Sequence, residues 1–270
     1  MPKHGDVSVV VRVVSRHYRV PNSKRLVSAV LPSRNAERKV VRAVDEVSIV
    51  AWKGECIGVL GRNGSGKSTL MRLIAGNENP DSGSVLVSSA PTLLNVSAAL
   101  QPRLSGLTNI KLGLLAQGIP LTDVPELSSE IQEFAELGDA IYRPMSTYSS
   151  GMGARLKFAI STAVDRDILL VDEALGTGDA AFAERAHNRM QQFLENAGTI
   201  FFVSHSMESI KSMCTRAIWL DEGRVVADGE VEPVSLLYRK WIARTARNNQ
   251  EGASSLLENV KEAYRPPVWA

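Results

Sequence analysis

The stretch "GRNGSGKST", Gly61 to Thr69, follows the β-branched, apolar run "ECIGVLG" (55 to 61) and opens "SGKSTLMRLIAG", where Leu70, Met71, Leu73 and Ile74 recur at helical spacing. It fits the pattern G-x-x-x-x-G-K-S/T, with a strand before it and a helix after it. The glycines let the backbone turn tightly, so the N–H groups from Asn63 to Ser68 are expected to face inward at a helix N-terminus and wrap a β-phosphate. Lys67 is expected between the β- and γ-phosphates, and the Ser68 hydroxyl is expected to ligate Mg²⁺. Gly61, Arg62, Gly64, Ser65, Gly66 and Thr69 complete the loop. A nucleoside triphosphate is the ligand these residues imply.

Outward from the loop, the chain alternates strands with helices. "DVSVVVRVV" (6 to 14) and "VDEVSIVAW" (44 to 52) read as strands, and "NENPDSGSVLV" as a turn and a strand. Residues 107 to 142 read as mostly helical, with a break at "QGIPLTDVPE", and a further helix follows from 154. Then come the buried strand "DILLVD" (167 to 172), a helix over 180 to 196, the strand "TIFFVS" (199 to 204), a helix over 206 to 214, and the strands "AIWLDEG" and "RVVADGE". This alternation predicts an α/β core with parallel strands, into which residues 97 to 164 are inserted as a helical subdomain. The connection "PNSKRLVSAVLPSRNAERKV" is long for a compact domain, and such connections are functional or disordered.

A composition of 44% apolar and 22% charged residues is that of an ordinary globular chain. Cys56 and Cys214 stand far apart without ligand-like spacing, which argues against a disulfide framework or zinc site and fits a reducing compartment. Arg12 interrupts the first apolar run, so no signal peptide is expected. No apolar run approaches the ~20 residues a membrane-spanning helix needs, so any membrane role would come through a partner. Through Asp45 the sequence holds ten basic and three acidic residues, a net of +7 against +2 for the whole chain. A basic segment on an acidic body suggests an anionic neighbour, phospholipid or nucleic acid, and a solvated basic loop is the alternative.

The carboxylates of "DILLVDEAL" complete the chemistry. Asp172 ends an apolar strand, where open α/β sheets hold their ligands, and is suited to hold Mg²⁺ through its water shell. Glu173 is placed to polarise a water for in-line attack on the γ-phosphate. A GTPase is a weaker reading, since no N-K-x-D element is present.

"GRNGSGKST", "YSSGM", "LLVDEAL", "GTGD" and "VSH", in that order, resemble the motif set of ATP-binding-cassette (ABC) ATPases over roughly residues 6 to 240. The resemblance implies a P-loop NTPase fold with a RecA-like parallel core, an antiparallel N-terminal β-subdomain and the inserted helical subdomain. It also implies two chains stacked head to tail around two ATP molecules. "YSSGM" stands where the family has L-S-G-G-Q, so Ser149 and Gly151 are expected to reach the γ-phosphate held by the opposite chain. Asp179 matches the aspartate that crosses the dimer interface, and His205 the histidine that contacts the γ-phosphate. Tyr18 aligns with the aromatic that stacks on adenine, with His17 as its competitor. Ser150 and Met152 depart from the family's glycine and glutamine. The family's Mg²⁺-contacting glutamine is replaced near Asn95, or is supplied late by Gln101.

These departures and the long basic insertion look like the ATPase subunits of polysaccharide exporters for O-antigen, teichoic acid, capsule or galactan. That resemblance implies an integral permease of the ABC-2 type and a place at the cytoplasmic face of the inner membrane. It assigns the insertion over 20 to 42 to the membrane face. There Lys24, Arg25, Arg34, Arg38 and Lys39 would meet lipid headgroups or a lipid-linked glycan, and Leu26, Val27, Val30 and Leu31 would form a short amphipathic helix. Residues 241 to 270 are expected to be a tail, too short for a carbohydrate-binding domain. The other readings are an ABC subunit for a drug or lipid, a soluble ABC ATPase acting on ribosomes or DNA, and a non-hydrolysing sensor. The ribosomal type has two cassettes and the DNA type a coiled coil, neither present here, so nucleic acid is not an expected partner.

Overall fold

The computed structural model describes residues 6–21, 38–93, 99–164, 166–172, 180–196, 198–204 and 206–267. Two long strands, β1 (Val7–Pro21) and β2 (Arg38–Trp52), pair antiparallel along their whole length. Valines 9, 11, 44 and 47, with Ile49, turn inward and are buried, which is the reason these valine-rich runs extend as strands. Bulges keep that inward face in register: Val13 and Glu46 have φ of 48° and 53°, and their amides are taken up by Ser48 Oγ and Ser15 Oγ.

The helix α1 (Lys67–Ile74) follows β3 (Cys56–Leu60). After it β4 (Ser82–Val87) returns to β1 and closes a three-stranded sheet in the order β2-β1-β4. The second sheet contains β3, β5 (Thr92–Leu93), β6 (Ile168–Asp172), β7 (Thr199–Val203), β8 (Arg216–Asp221) and β9 (Arg224–Glu230). Its order is β5-β6-β7-β3-β8-β9, parallel throughout except for the β8-β9 hairpin. β3, β7 and the interior of β8 are buried on both faces, as continuous apolar runs in parallel sheets demand. One core fills the space between the two sheets around Ile49, Leu70 and Phe201. A second, around Phe158, Phe182 and Trp219, lies on the opposite face under α5 (Ala180–Glu195) and α6 (Met207–Met213).

The inserted subdomain is helical as expected. It contains α2 (Gly106–Ala116), α3 (Val124–Ala135) and α4 (Ser150–Ser161) around Ile110, Leu114, Ile131 and Leu156. Asn109 holds its entrance together. Fully buried, it donates to the carbonyls of Gln101, Leu104 and Ser105 at 3.0–3.1 Å and accepts from the Gln101 amide at 2.7 Å. Asn109→Ala strands several buried polar groups at once and is expected to lower unfolding free energy by about 2–3 kcal/mol, measured by urea denaturation.

Two boundaries differ from the sequence reading. Residues 38 to 42 belong to β2, with Val20 paired to Lys39 and Pro21 to Arg38, so the ends of the 20–42 insertion are strand. Continued backbone pairing outweighs the polar composition there. Residues 22–37, with the expected amphipathic helix and Lys24, Arg25 and Arg34, lie outside the described residues. At the other end, α7 (Val231–Ala246) runs straight through position 240, and α8 (Gln250–Ala263) follows it. The expected tail is therefore part of the fold, because Trp241, Ala253 and Val260 are buried in the second core. Cys56 and Cys214, remote in sequence, bring their sulfurs to 3.1 Å as buried free thiols. Hydrogen bonding between them and burial push the Cys214 thiol up. Among the described residues no helix is long and apolar enough to cross a membrane.

Candidate nucleotide-binding site

The loop from Gly61 to Gly66 leaves the C-terminal end of β3 between β7 and β8 and starts α1. Gly66 stands at the helix N-cap with φ 104°, and a Cβ there would meet the Ala43 carbonyl at 2.1 Å. Gly61 has φ 150° and no room for a side chain against the Leu220 carbonyl and Ser65 Oγ, each 2.4 Å away. Neither position admits any residue but glycine. The first turn of α1 has no side-chain cap and no acidic residue, so its unpaired N–H groups and dipole favour an anion. Lys67 Nζ donates to the carbonyls of Gly61 and Arg62 at 2.6 and 3.0 Å, which holds the ammonium across the loop. Behind the loop, Gly223 in the β8-β9 turn donates to the Ser65 carbonyl at 3.0 Å and accepts from the Asp45 amide at 2.9 Å.

A cleft of about 500 Å³ opens beside this loop, within the range of small-ligand pockets. Asn63, Gly64, Gly66, Lys67, Ser68 and Thr69 form one wall, Tyr18, Val41 and Ala43 the other, and Val203 joins them from the end of β7. Of Tyr18 and His17, only Tyr18 lines the cleft. His17 faces away, its amide donating to Asp81 at 2.6 Å and its ring lying 3.7–4.0 Å from Asp81 and Asp45. Strand alternation is the reason, since neighbouring residues point to opposite faces. The Tyr18 hydroxyl donates to Glu78 and accepts from Arg72 at 3.3 Å, while the Arg16 guanidinium lies 5.2 Å from the ring centroid. Burial raises the Glu78 carboxyl, but hydrogen bonds from Tyr18 and Arg72 outweigh it and hold it below the usual range. The sequence reading missed Arg72 and Glu78, which lie beyond the loop motif and have no pattern of their own. It also missed Val41, although the Tyr18–Val41 pairing follows from extending both strands.

Asp172 ends β6 in register with Val203, which places it at the strand edge level with the cleft. Glu173, Asp179, His205 and Asn95 lie outside the described residues. Gln101 is exposed, with its backbone bound to Asn109. Ser149 caps α4, its Oγ accepting from the Met152 amide at 3.2 Å, and Gly151 sits in the first turn. Met152 thus supports the cap through its backbone, which any side chain permits. Neither Ser149 nor Gly151 lines the cleft formed by the chain's own loop.

A profile of the ABC transporter family matches residues 44–176. The teichoic acids export ATP-binding protein TagH of Staphylococcus saprophyticus is 36% identical over 239 residues, covering 88% of this chain and 90% of that protein. The chain belongs to the ABC transporter family. TagH of Staphylococcus haemolyticus is 36% identical over 259 residues, 95% of this chain and 97% of that protein. TagH of Bacillus cereus is 42% identical over 216 residues, 80% of this chain but 39% of that longer protein. Solved ABC structures share the fold. An ATP-binding cassette in a dimeric post-hydrolysis state bound to ADP and Pi superposes with a TM-score of 0.69 at 20% identity, covering 83% of this chain and 99% of that one. An ATP-binding subunit of an ABC transporter superposes with a TM-score of 0.67 at 17% identity, covering 94% and 99%. This ABC chain is an ATPase, and ATP is its nucleotide.

Proposed function

We propose that this chain is the ATPase subunit of an exporter that moves a lipid-linked polysaccharide of the teichoic-acid class across the cytoplasmic membrane, with a separate ABC-2-type permease. The observation that carries the reading is the likeness, over nearly the whole of each chain, to two staphylococcal proteins named for teichoic acids export. In this reading the chain sits at the cytoplasmic face of the membrane, held there by the permease.

The loop binds the triphosphate through its N–H groups, Lys67 neutralises charge between the β- and γ-phosphates, and Tyr18 packs on the adenine. Two copies close head to tail, so that Ser149 and Gly151 of one meet the γ-phosphate held by the other, with Asp179 at their shared interface. Glu173 takes the proton of the attacking water, and His205 orients that water. Ser68, Asp172 and Asn95, with Gln101 as the alternative to Asn95, would hold Mg²⁺; their hydroxyl, carboxylate and amide oxygens suit a hard cation. When bound, the ion neutralises charge on the phosphates. Hydrolysis separates the copies, and the helical subdomain passes the movement to the permease.

Co-purification from membranes with an integral permease tests the reading; association with ribosomes or DNA instead overturns it. The basic segment supplies a second test. Replacing Arg34, Arg38 and Lys39 by Gln removes roughly 3 kcal/mol of attraction to an anionic surface, at about 1 kcal/mol each. Export and binding to anionic vesicles are expected to fall while basal ATPase holds. A loss confined to ATPase would make the segment structural only.

A further inference from the structure

The phosphate loop has a second neighbour on the side away from its cleft. The Arg62 guanidinium lies over the ring of Trp241 on α7, 5.9 Å from its centroid. One turn earlier, burial raises the Tyr238 phenol, and the charge of Arg62 and the Gly61 amide act against that rise. Trp241 and Tyr238 stack on each other, and both pack on Trp219 at 5.3–5.4 Å. Trp219 is fully buried on β8 and pairs with Leu60, the residue that leads into Gly61. At the end of β8, Lys261 of α8 bonds Asp221 at 3.2 Å. The cleft of about 560 Å³ between the loop and these helices is lined by Asn63, Gly64 and Ser65 on one side and Gln250, Ser254 and Leu257 on the other.

We propose that α7 braces the phosphate loop from behind, with Trp241 acting as a positioning residue that sets Arg62 for nucleotide binding. The physical case is that glycine-rich loops have little internal rigidity, so an anion cradle depends on what surrounds it. Arg62 of this one is tied to an aromatic cluster by a cation–π contact, and Leu60, which leads into the loop, pairs with Trp219 of the same cluster. Movement of α7 therefore changes the loop's affinity, and occupancy of the loop changes the surroundings of Trp241, since coupling of this kind is reciprocal. The inference rests on the reading of the loop as the ATP site.

The test is ATP binding by calorimetry, with steady-state ATPase and thermal unfolding of the same proteins. Trp241→Ala is expected to weaken ATP binding about five- to tenfold, while Trp241→Phe, which keeps a ring under Arg62, stays within about twofold. Trp241→Leu, which keeps apolar bulk and removes the ring face under Arg62, is expected to weaken binding about two- to threefold at a melting temperature close to wild type. KM rises in proportion and kcat holds. The change in tryptophan emission on adding ATP is expected to disappear in Trp241→Phe. If Trp241→Ala fails to fold, Trp241→Leu and the emission change decide. Wild-type affinity in Trp241→Leu with ATP-dependent emission retained in Trp241→Phe overturns the inference alone. A wild-type chain that binds no ATP overturns the reading of the loop, and the inference with it.

Discussion

Glu173→Gln is expected to lower ATP turnover by about 10²- to 10⁴-fold, the usual contribution of a general base. The substitution keeps the shape of the side chain and removes its ability to take a proton. ATP binding is therefore expected to persist, and the ATP-bound dimer to accumulate because the step that opens it is blocked. Size-exclusion chromatography with ATP reads the dimer, and phosphate release reads the turnover. Unchanged turnover would remove Glu173 from its assigned role and leave the water to another base.

Gly66→Ala is expected to weaken nucleotide binding on the order of 100-fold or more, since displacing catalytic or binding groups by about 1 Å has effects of that size. The new Cβ would sit 2.1 Å from the Ala43 carbonyl, so β2 or the loop has to move by roughly an ångström to reach ordinary contact. The backbone resists as well: φ is 104°, a region where a non-glycine residue costs about 1–3 kcal/mol. Ala43 also lines the cleft, so relief of the clash distorts the site from either side. Gly64→Ala is the control. It has φ 82° but nothing within 4 Å of a new Cβ, and so tests strain without collision. Calorimetry with ATP and circular dichroism on both variants separate a damaged loop from a damaged fold. Equal affinity in the two alanine variants would assign the effect to strain alone.

Much of this molecule was legible along the chain. The loop motif, flanked by an apolar strand and a helical run, located β3 and α1. Valine-rich and apolar runs located most of the other strands, because burial on both faces leaves a continuous apolar signature. The helical subdomain could be seen from the switch to a 3.6-residue period between residues 106 and 161. The ends of elements were harder to read. β1 and β2 extend through "SRHYRVP" and "RKVVRA", where each strand is held mainly by its partner's backbone, and sequence pattern does not record backbone partners. The same blindness hid the last two helices, whose apolar residues Trp241, Ala253 and Val260 acquire meaning only against the sheet they cover.

The sequence by itself determined the local chemistry: which glycines turn the chain, which lysine follows them at the helix start, and which carboxylates follow an apolar strand. Those are local properties, set by residue type and spacing over a few positions. Only the tertiary structure decided that Tyr18 and not His17 enters the cleft, that Glu78 and Arg72 hold it there, and that Trp241 stands under Arg62. Each of these joins residues far apart in the sequence. Such pairings depend on strand register, bulges and the docking of one helix, which are fixed by the packing of the whole chain.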